Sequence, residues 1–138
     1  MHLTASEKNL IQASYIQLMK NEQGLAHCFY DVLFEMAPLI KPLFKGDRQL
    51  LEVHFNELIC VAVEHVSHFE KLQLVLNELG IRHKAYGAKV SQFEIVKVAL
   101  LLSIEYELKG QFNTAIKNAW AKYVDQISNE MMVGLLSQ

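Results

Sequence analysis

Two histidines stand on apolar helical faces, where an imidazole could act as a metal ligand. Apolar residues precede His83 in steps of four, three and four, at Leu72, Leu76 and Leu79. These steps match the period of an α-helix, so His83 extends a face that packs inward. His54 also lies between apolar neighbours. A neutral imidazole can give one nitrogen to a metal ion, but a core histidine bonded to a backbone carbonyl has the same spacing, so both interpretations stay open.

The elements that position these histidines are all predicted to be helices, because the sequence has no strand-length run in which apolar and polar residues alternate. The first helix begins at Thr4 with Glu7 as its capping-box partner, and Asn113 caps the last. Residues 98–102 (VALLL) are apolar on every side, which predicts burial from two directions. The predicted class is all-α with six or seven helices. After the first helix, the others are predicted over about residues 22–36, 49–66, 69–86, 91–109 and 114–136.

The overall composition is that of an ordinary globular protein. Of 138 residues, 51% are apolar and 20% are charged, which together predict one domain over residues 1–138. A net charge of −2 gives no basic field for nucleic acid or for an anionic membrane, so neither is expected as a partner. The longest apolar run is too short to cross a bilayer, and no leader pattern precedes the first helix. We therefore expect a cytoplasmic protein.

Four segments match a known family in order and at suitable spacing. Residues 79–87 (LGIRHKAYG), continuing through 93–96 and 99–101, resemble the proximal-histidine segment of bacterial single-domain globins and of flavohaemoglobin globin domains. Upstream, residues 29–34 (FYDVLF), Pro38 and residues 43–44 are similar to the distal segment of the same family. Residues 119–122 (AWAK) look like the start of the last globin helix. The resemblance implies a globin fold, an open wedge of helices around a haem pocket.

The resemblance also implies a cofactor, haem b (iron protoporphyrin IX), with His83 as the proximal iron ligand. Phe44 corresponds to the phenylalanine that packs on the porphyrin face in globins. The remaining residues expected to pack against the haem are apolar and follow from the same logic: Leu76, Leu79, Phe93, Val96 and Leu100.

On the distal side, Tyr30 corresponds to the tyrosine that donates a hydrogen bond to bound O2 in flavohaemoglobin-like globins. Counting back from His83 without a gap puts Leu51 where many globins have a distal histidine or glutamine, and Phe55 one turn later. His54, next to Phe55, has three open roles: a second iron ligand, a contact to a haem propionate, or a solvent-facing residue at the helix edge.

The function implied by the resemblance is binding of O2, NO or another diatomic ligand at the haem iron. NO dioxygenase-like chemistry would need electrons, and we expect a separate reductase partner to supply them. Phe93 stands where flavohaemoglobins have a tyrosine that supports the proximal histidine, which puts an efficient dioxygenase in doubt. The alternatives are a bis-histidyl redox or gas-sensing protein and a haem-free globin-like regulatory module, although His83 and Phe44 argue against the latter.

Overall fold

The computed structural model describes residues 2–21 and 24–137. Within those ranges the chain forms six α-helices and three short 3-10 turns, with no strand, and this confirms the all-α prediction. None of these helices is both long and apolar enough to cross a membrane. The helices are α1 (Ala5–Leu18), α2 (Gly24–Met36), α3 (Arg48–Glu64), α4 (Gln73–Ala85), α5 (Gln92–Leu108) and α6 (Thr114–Leu135).

Side-chain caps predicted from the sequence set the N-terminal ends of α1 and α6. The Thr4 hydroxyl accepts from the Glu7 backbone N–H, and the Glu7 carboxylate accepts from the Thr4 N–H, so the predicted capping box is confirmed. Asn113 caps α6 by accepting from the Ile116 N–H, also as predicted. The predicted second helix extended back to residues 22 and 23, which lie outside the described residues. The predicted fourth helix is divided, because a 3-10 turn (Phe69–Lys71) precedes α4.

The centre of the core lies where α1, α5 and α6 meet. Ile11, Ile104, Trp120 and Tyr123 are almost fully buried there. The Trp120 indole N–H donates to the Ser14 hydroxyl at 2.8 Å, which satisfies a polar group that would otherwise be costly to bury. This junction fixes the scaffold on which the other helices pack.

The expectation that residues 98–102 are buried from two directions is wrong for the ends of that run. Ala99 and Leu100 are buried, whereas Val98 and Leu102 are 37% and 45% exposed. Helix α5 contacts α1, α2 and α6, but these neighbours leave Val98 and Leu102 partly uncovered, because an apolar run by itself does not show how many neighbours a helix has. The result is an apolar surface strip on α5.

Helix α4 lies unusually close to α6. A methyl group built on Gly80 would overlap the Met131 carbonyl, and one built on Gly134 would overlap the Asn77 carbonyl. The two glycines thus let the helix backbones touch directly, each helix contributing the small residue that the other requires. Because Gly80 lies one turn before His83, this crossing sets the depth at which the histidine is held.

Candidate functional site

The His83 side chain is held by a hydrogen bond within its own helix. Its Nδ1 lies 2.8 Å from the Leu79 carbonyl oxygen, one turn earlier on α4. A carbonyl can only accept, so Nδ1 carries the proton and donates, and in the neutral ring Nε2 keeps its lone pair. The ring is half-buried, with Tyr86 edge-on at 6.2 Å. His83 therefore offers one oriented lone pair, on Nε2, to a metal ion.

Aromatic rings from α2, from α3 and from the segment between them surround Tyr30. Phe29, Phe34, Phe44 and Phe55 have ring centroids between 5.1 and 5.9 Å from that of Tyr30. Phe29 and Phe55 also stack at 4.5 Å, which joins α2 to α3. Such tilted and offset contacts fix the plane of each ring. The cluster forms a rigid apolar wall with one phenol in it.

The Tyr30 hydroxyl is the polar group of that wall. The residue is 6% exposed, and its hydroxyl makes no hydrogen bond to any side chain or backbone group among the residues that the structure covers. Burial, with the nearby Glu52 carboxylate, raises the pKa of Tyr30 to about 12, and Arg48 opposes this in part. The phenol is therefore protonated at neutral pH and has a proton to donate.

The other predicted distal residues differ in how far they are buried. Leu51 and Phe55 are half-buried and pack against the core. His54 is exposed and makes no hydrogen bond or ion pair with the described part of the chain. In this conformation α3 presents Phe55 inward and holds His54 at its edge.

The predicted haem-packing residues belong to the hydrophobic core or pack against it. Leu76 and Leu100 are buried, at 1% and 5% exposure. Leu79, Phe93 and Val96 are half-buried against the same core, as is Phe44. Within residues 2–21 and 24–137 there is no group of three or more His, Cys, Asp or Glu able to hold a bare metal ion.

A network of four charged or polar side chains joins α2 to the start of α3, and sequence reasoning missed it. Arg48 Nη2 lies 2.7 Å from Asp31 Oδ1, and Arg48 Nε lies 2.9 Å from Glu52 Oε2. His27 Nδ1 lies 3.1 Å from the same Glu52 oxygen. Arg48 closes a polar stretch, residues 45–48 (KGDR), and its spacing of four from Glu52 is the sequence signal of a shared helix face. We call these four residues the α2–α3 ion network.

Comparison with known proteins decides the family. A model of the globin family matches residues 27–131 of the chain. The chain belongs to the globin family. An anaerobic nitrite reductase of rice (Oryza sativa subsp. indica) is 27% identical to this globin over 139 residues, which cover 93% of this chain and 92% of the rice protein. The bacterial single-domain class named by the sequence resemblance stays a prediction.

Solved structures resemble this globin over nearly its whole length. A bacterial globin from Campylobacter jejuni superposes with a TM-score of 0.80 at 23% identity, covering 95% of this chain and 96% of that one. A hexacoordinated haem protein from an anhydrobiotic tardigrade gives 0.87 at 17% identity, covering 98% and 96%. At these identities the likeness shows the fold alone, and it confirms the predicted globin fold.

Proposed function

We propose that this globin, as one domain over residues 1–138, binds haem b with His83 Nε2 as the proximal iron ligand. We propose further that it takes O2, NO or another diatomic ligand on the Tyr30 side. The observation that carries the proposal is the hydrogen bond from His83 Nδ1 to the Leu79 carbonyl, which leaves Nε2 as a lone-pair donor. Metal-binding histidines characteristically donate their other ring N–H to a carbonyl or carboxylate in this way.

The chemistry of the surrounding residues fits a porphyrin rather than a bare metal ion. A single imidazole without further ligand side chains suits a metal whose other positions are already occupied. The apolar lining around Leu76, Leu79, Phe93 and Leu100 matches the apolar faces of a macrocycle. Burial of such surface is favourable by about 25 cal/mol per Å².

Tyr30 gives the pocket its selectivity among diatomic ligands. When bound, haem iron supplies reversible coordination, and a ligand such as O2 gains negative charge there. The Tyr30 phenol, protonated and without another acceptor among the described residues, is the donor for that charge. A hydrogen bond to a charged acceptor contributes about 1.5–3 kcal/mol. We infer slow ligand release, which suits NO chemistry or sensing better than oxygen delivery.

Redox turnover is a second candidate function. The rice relative at 27% identity is named an anaerobic nitrite reductase, and reduction of that kind requires an electron source. We propose that electrons for any such turnover come from a separate reductase. His54 is exposed, and we propose that it contacts a haem propionate or faces solvent.

The test is a haem titration of the apoprotein followed by the Soret band. The wild type is expected to bind one haem, and His83→Ala to bind it at least about tenfold more weakly with altered ferrous bands. His65→Ala is a matched control, because His65 Nδ1 makes the same hydrogen bond, 2.9 Å to the Val61 carbonyl, outside the pocket. A wild type with its helices formed and no Soret band would support the haem-free module instead. Identical spectra for the wild type and His83→Ala would reject the ligand assignment.

A further inference from the structure

The first half of α3 is less buried than the second half. The buried residues of this helix, Ile59, Ala62 and Val63, all lie in its second half. In the first half, Leu50 and Val53 are 53% and 49% exposed. Leu51 and Phe55 are half-buried, and Phe55 contacts the α2 rings of Phe29 and Tyr30. The orientation of this first half therefore depends on contacts other than a deep core.

The α2–α3 ion network supplies those contacts on both sides of Tyr30. His27 and Asp31 precede and follow Tyr30 on α2. Arg48 Nη2 donates to Asp31 Oδ1 at 2.7 Å and to the His27 carbonyl at 3.0 Å, while its Nε donates to Glu52. One guanidinium thus bonds three groups on two helices in a fixed planar geometry.

The position of Arg48 is unfavourable unless this network forms. Arg48 is the first residue of α3, where the unpaired backbone N–H groups and the helix dipole favour negative charge. Asp47 immediately before it caps the helix and follows that rule. The positive charge of Arg48 interacts unfavourably with the helix dipole, and its carboxylate partners Asp31 and Glu52 offset this cost. The placement of Arg48 therefore suggests a role in holding α3 to α2.

Helix geometry connects the network to His54. Successive residues are rotated by about 100° around a helix. Leu51 and Phe55 share the half-buried stripe that packs against the core, His54 lies on one flank of that stripe, and Arg48 with Glu52 lies on the opposite flank. Turning α3 so that His54 faces inward therefore turns Arg48 and Glu52 away from α2. The intact network thus opposes an inward rotation of His54.

We propose that Arg48 is a positioning residue that, through Asp31 and Glu52, holds α3 in the rotation that packs Phe55 against α2 and leaves His54 exposed. The proposal rests on the proposed haem function, with His83 as the axial ligand. With the network intact, the distal position stays open for a diatomic ligand beside Tyr30. With it broken, His54 becomes able to enter and occupy that position.

The test compares ferric absorption spectra of haem-loaded wild type, Arg48→Ala and Arg48→Ala/His54→Ala. The exposed fractions of Arg48 and Asp31, 38% and 56%, limit the effect to about a tenfold shift toward the His54-ligated form. Arg48→Ala is expected to gain low-spin bands that the double variant loses, and its CO association should slow in proportion to the fall in the fraction of protein with His54 unbound. Glu52→Gln should shift the same equilibrium less, because the amide oxygen still accepts from Arg48.

A matched control separates this role from general loss of an ion pair. Lys97→Ala breaks the 2.9 Å ion pair to Asp125 between α5 and α6, and its spectrum should equal that of the wild type. If Arg48→Ala binds haem with the wild-type spectrum and CO rate, or if its low-spin bands persist without His54, the positioning role is wrong while haem binding stands. If no variant, including the wild type, gives a Soret band, both proposals are wrong.

Discussion

Substitution of Tyr30 by phenylalanine isolates the contribution of one hydroxyl group. The ring packs among Phe29, Phe34, Phe44 and Phe55, and a phenylalanine keeps those contacts, so the change removes only the donor. The hydroxyl has no other acceptor among the described residues, so the substitution should remove the whole hydrogen bond to the ligand. A bond of about 1.5–3 kcal/mol corresponds to an O2 dissociation rate about 10 to 150 times faster.

The assay is stopped-flow O2 dissociation from the ferrous protein, with CO binding measured in parallel. CO gains less negative charge than O2, so its affinity should change by much less than that of O2. Tyr123→Phe is the matched control, since it removes a buried phenol that donates to the Ala62 carbonyl at 2.5 Å, away from the pocket. It should lower stability and leave O2 release unchanged.

The pKa of Tyr30 gives the same prediction a pH dependence. Burial raises this pKa to about 12, above its ordinary value, so the phenol keeps its proton throughout the neutral range. The ratio of the O2 dissociation rate of Tyr30→Phe to that of the wild type should therefore be constant between about pH 6 and pH 9. It should fall only as the pH approaches the raised pKa of Tyr30. The stabilisation that the neutral phenol gives the folded state is present below its unfolded pKa and is lost as the pH rises through the folded one. Equal rates for wild type and Tyr30→Phe, or a change of the same size in CO affinity, would refute the donor role.

Three further substitutions test the scaffold by thermal unfolding. Gly80→Ala should destabilise the fold by about 1–3 kcal/mol or more, because the helix backbones must separate, whereas Gly110→Ala, with open space around it, should be nearly neutral. Ser14→Ala leaves the Trp120 indole N–H without its acceptor and should cost about 1–3 kcal/mol; an unchanged melting temperature would contradict that reading. Thr4→Ala removes the capping box and should cost about 1 kcal/mol, measured against an exposed substitution in the same turn.

Sequence signals that act over one or two turns predicted the fold well. The Thr4 capping box and the Asn113 cap are both present, and helix α5 ends within one residue of its predicted bounds. The step pattern through Leu72 and Leu76 marks residues that are almost fully buried. These features are decided by backbone geometry and periodicity, which a single sequence shows directly.

Features that depend on distant partners were not predictable in the same way. The pattern of residues 98–102 showed a run of apolar side chains and not the number of helices around it, so the exposure of Leu102 was missed. The role of Arg48 could not be predicted locally, because its partners Asp31 and His27 lie on another helix. The close α4–α6 crossing needs Gly80 and Gly134 to meet, and no local pattern pairs two glycines so far apart in the chain.

The central claim is that His83 Nε2 coordinates the haem iron. The most direct measurement is the iron–ligand stretching band of the ferrous protein by resonance Raman, in wild type and in His83→Gly supplied with imidazole. Coordination by His83 predicts an iron–imidazole band in the wild type, its loss in His83→Gly, and its return with an isotope shift when labelled imidazole is added. A band that is the same in wild type and in His83→Gly without imidazole would contradict it.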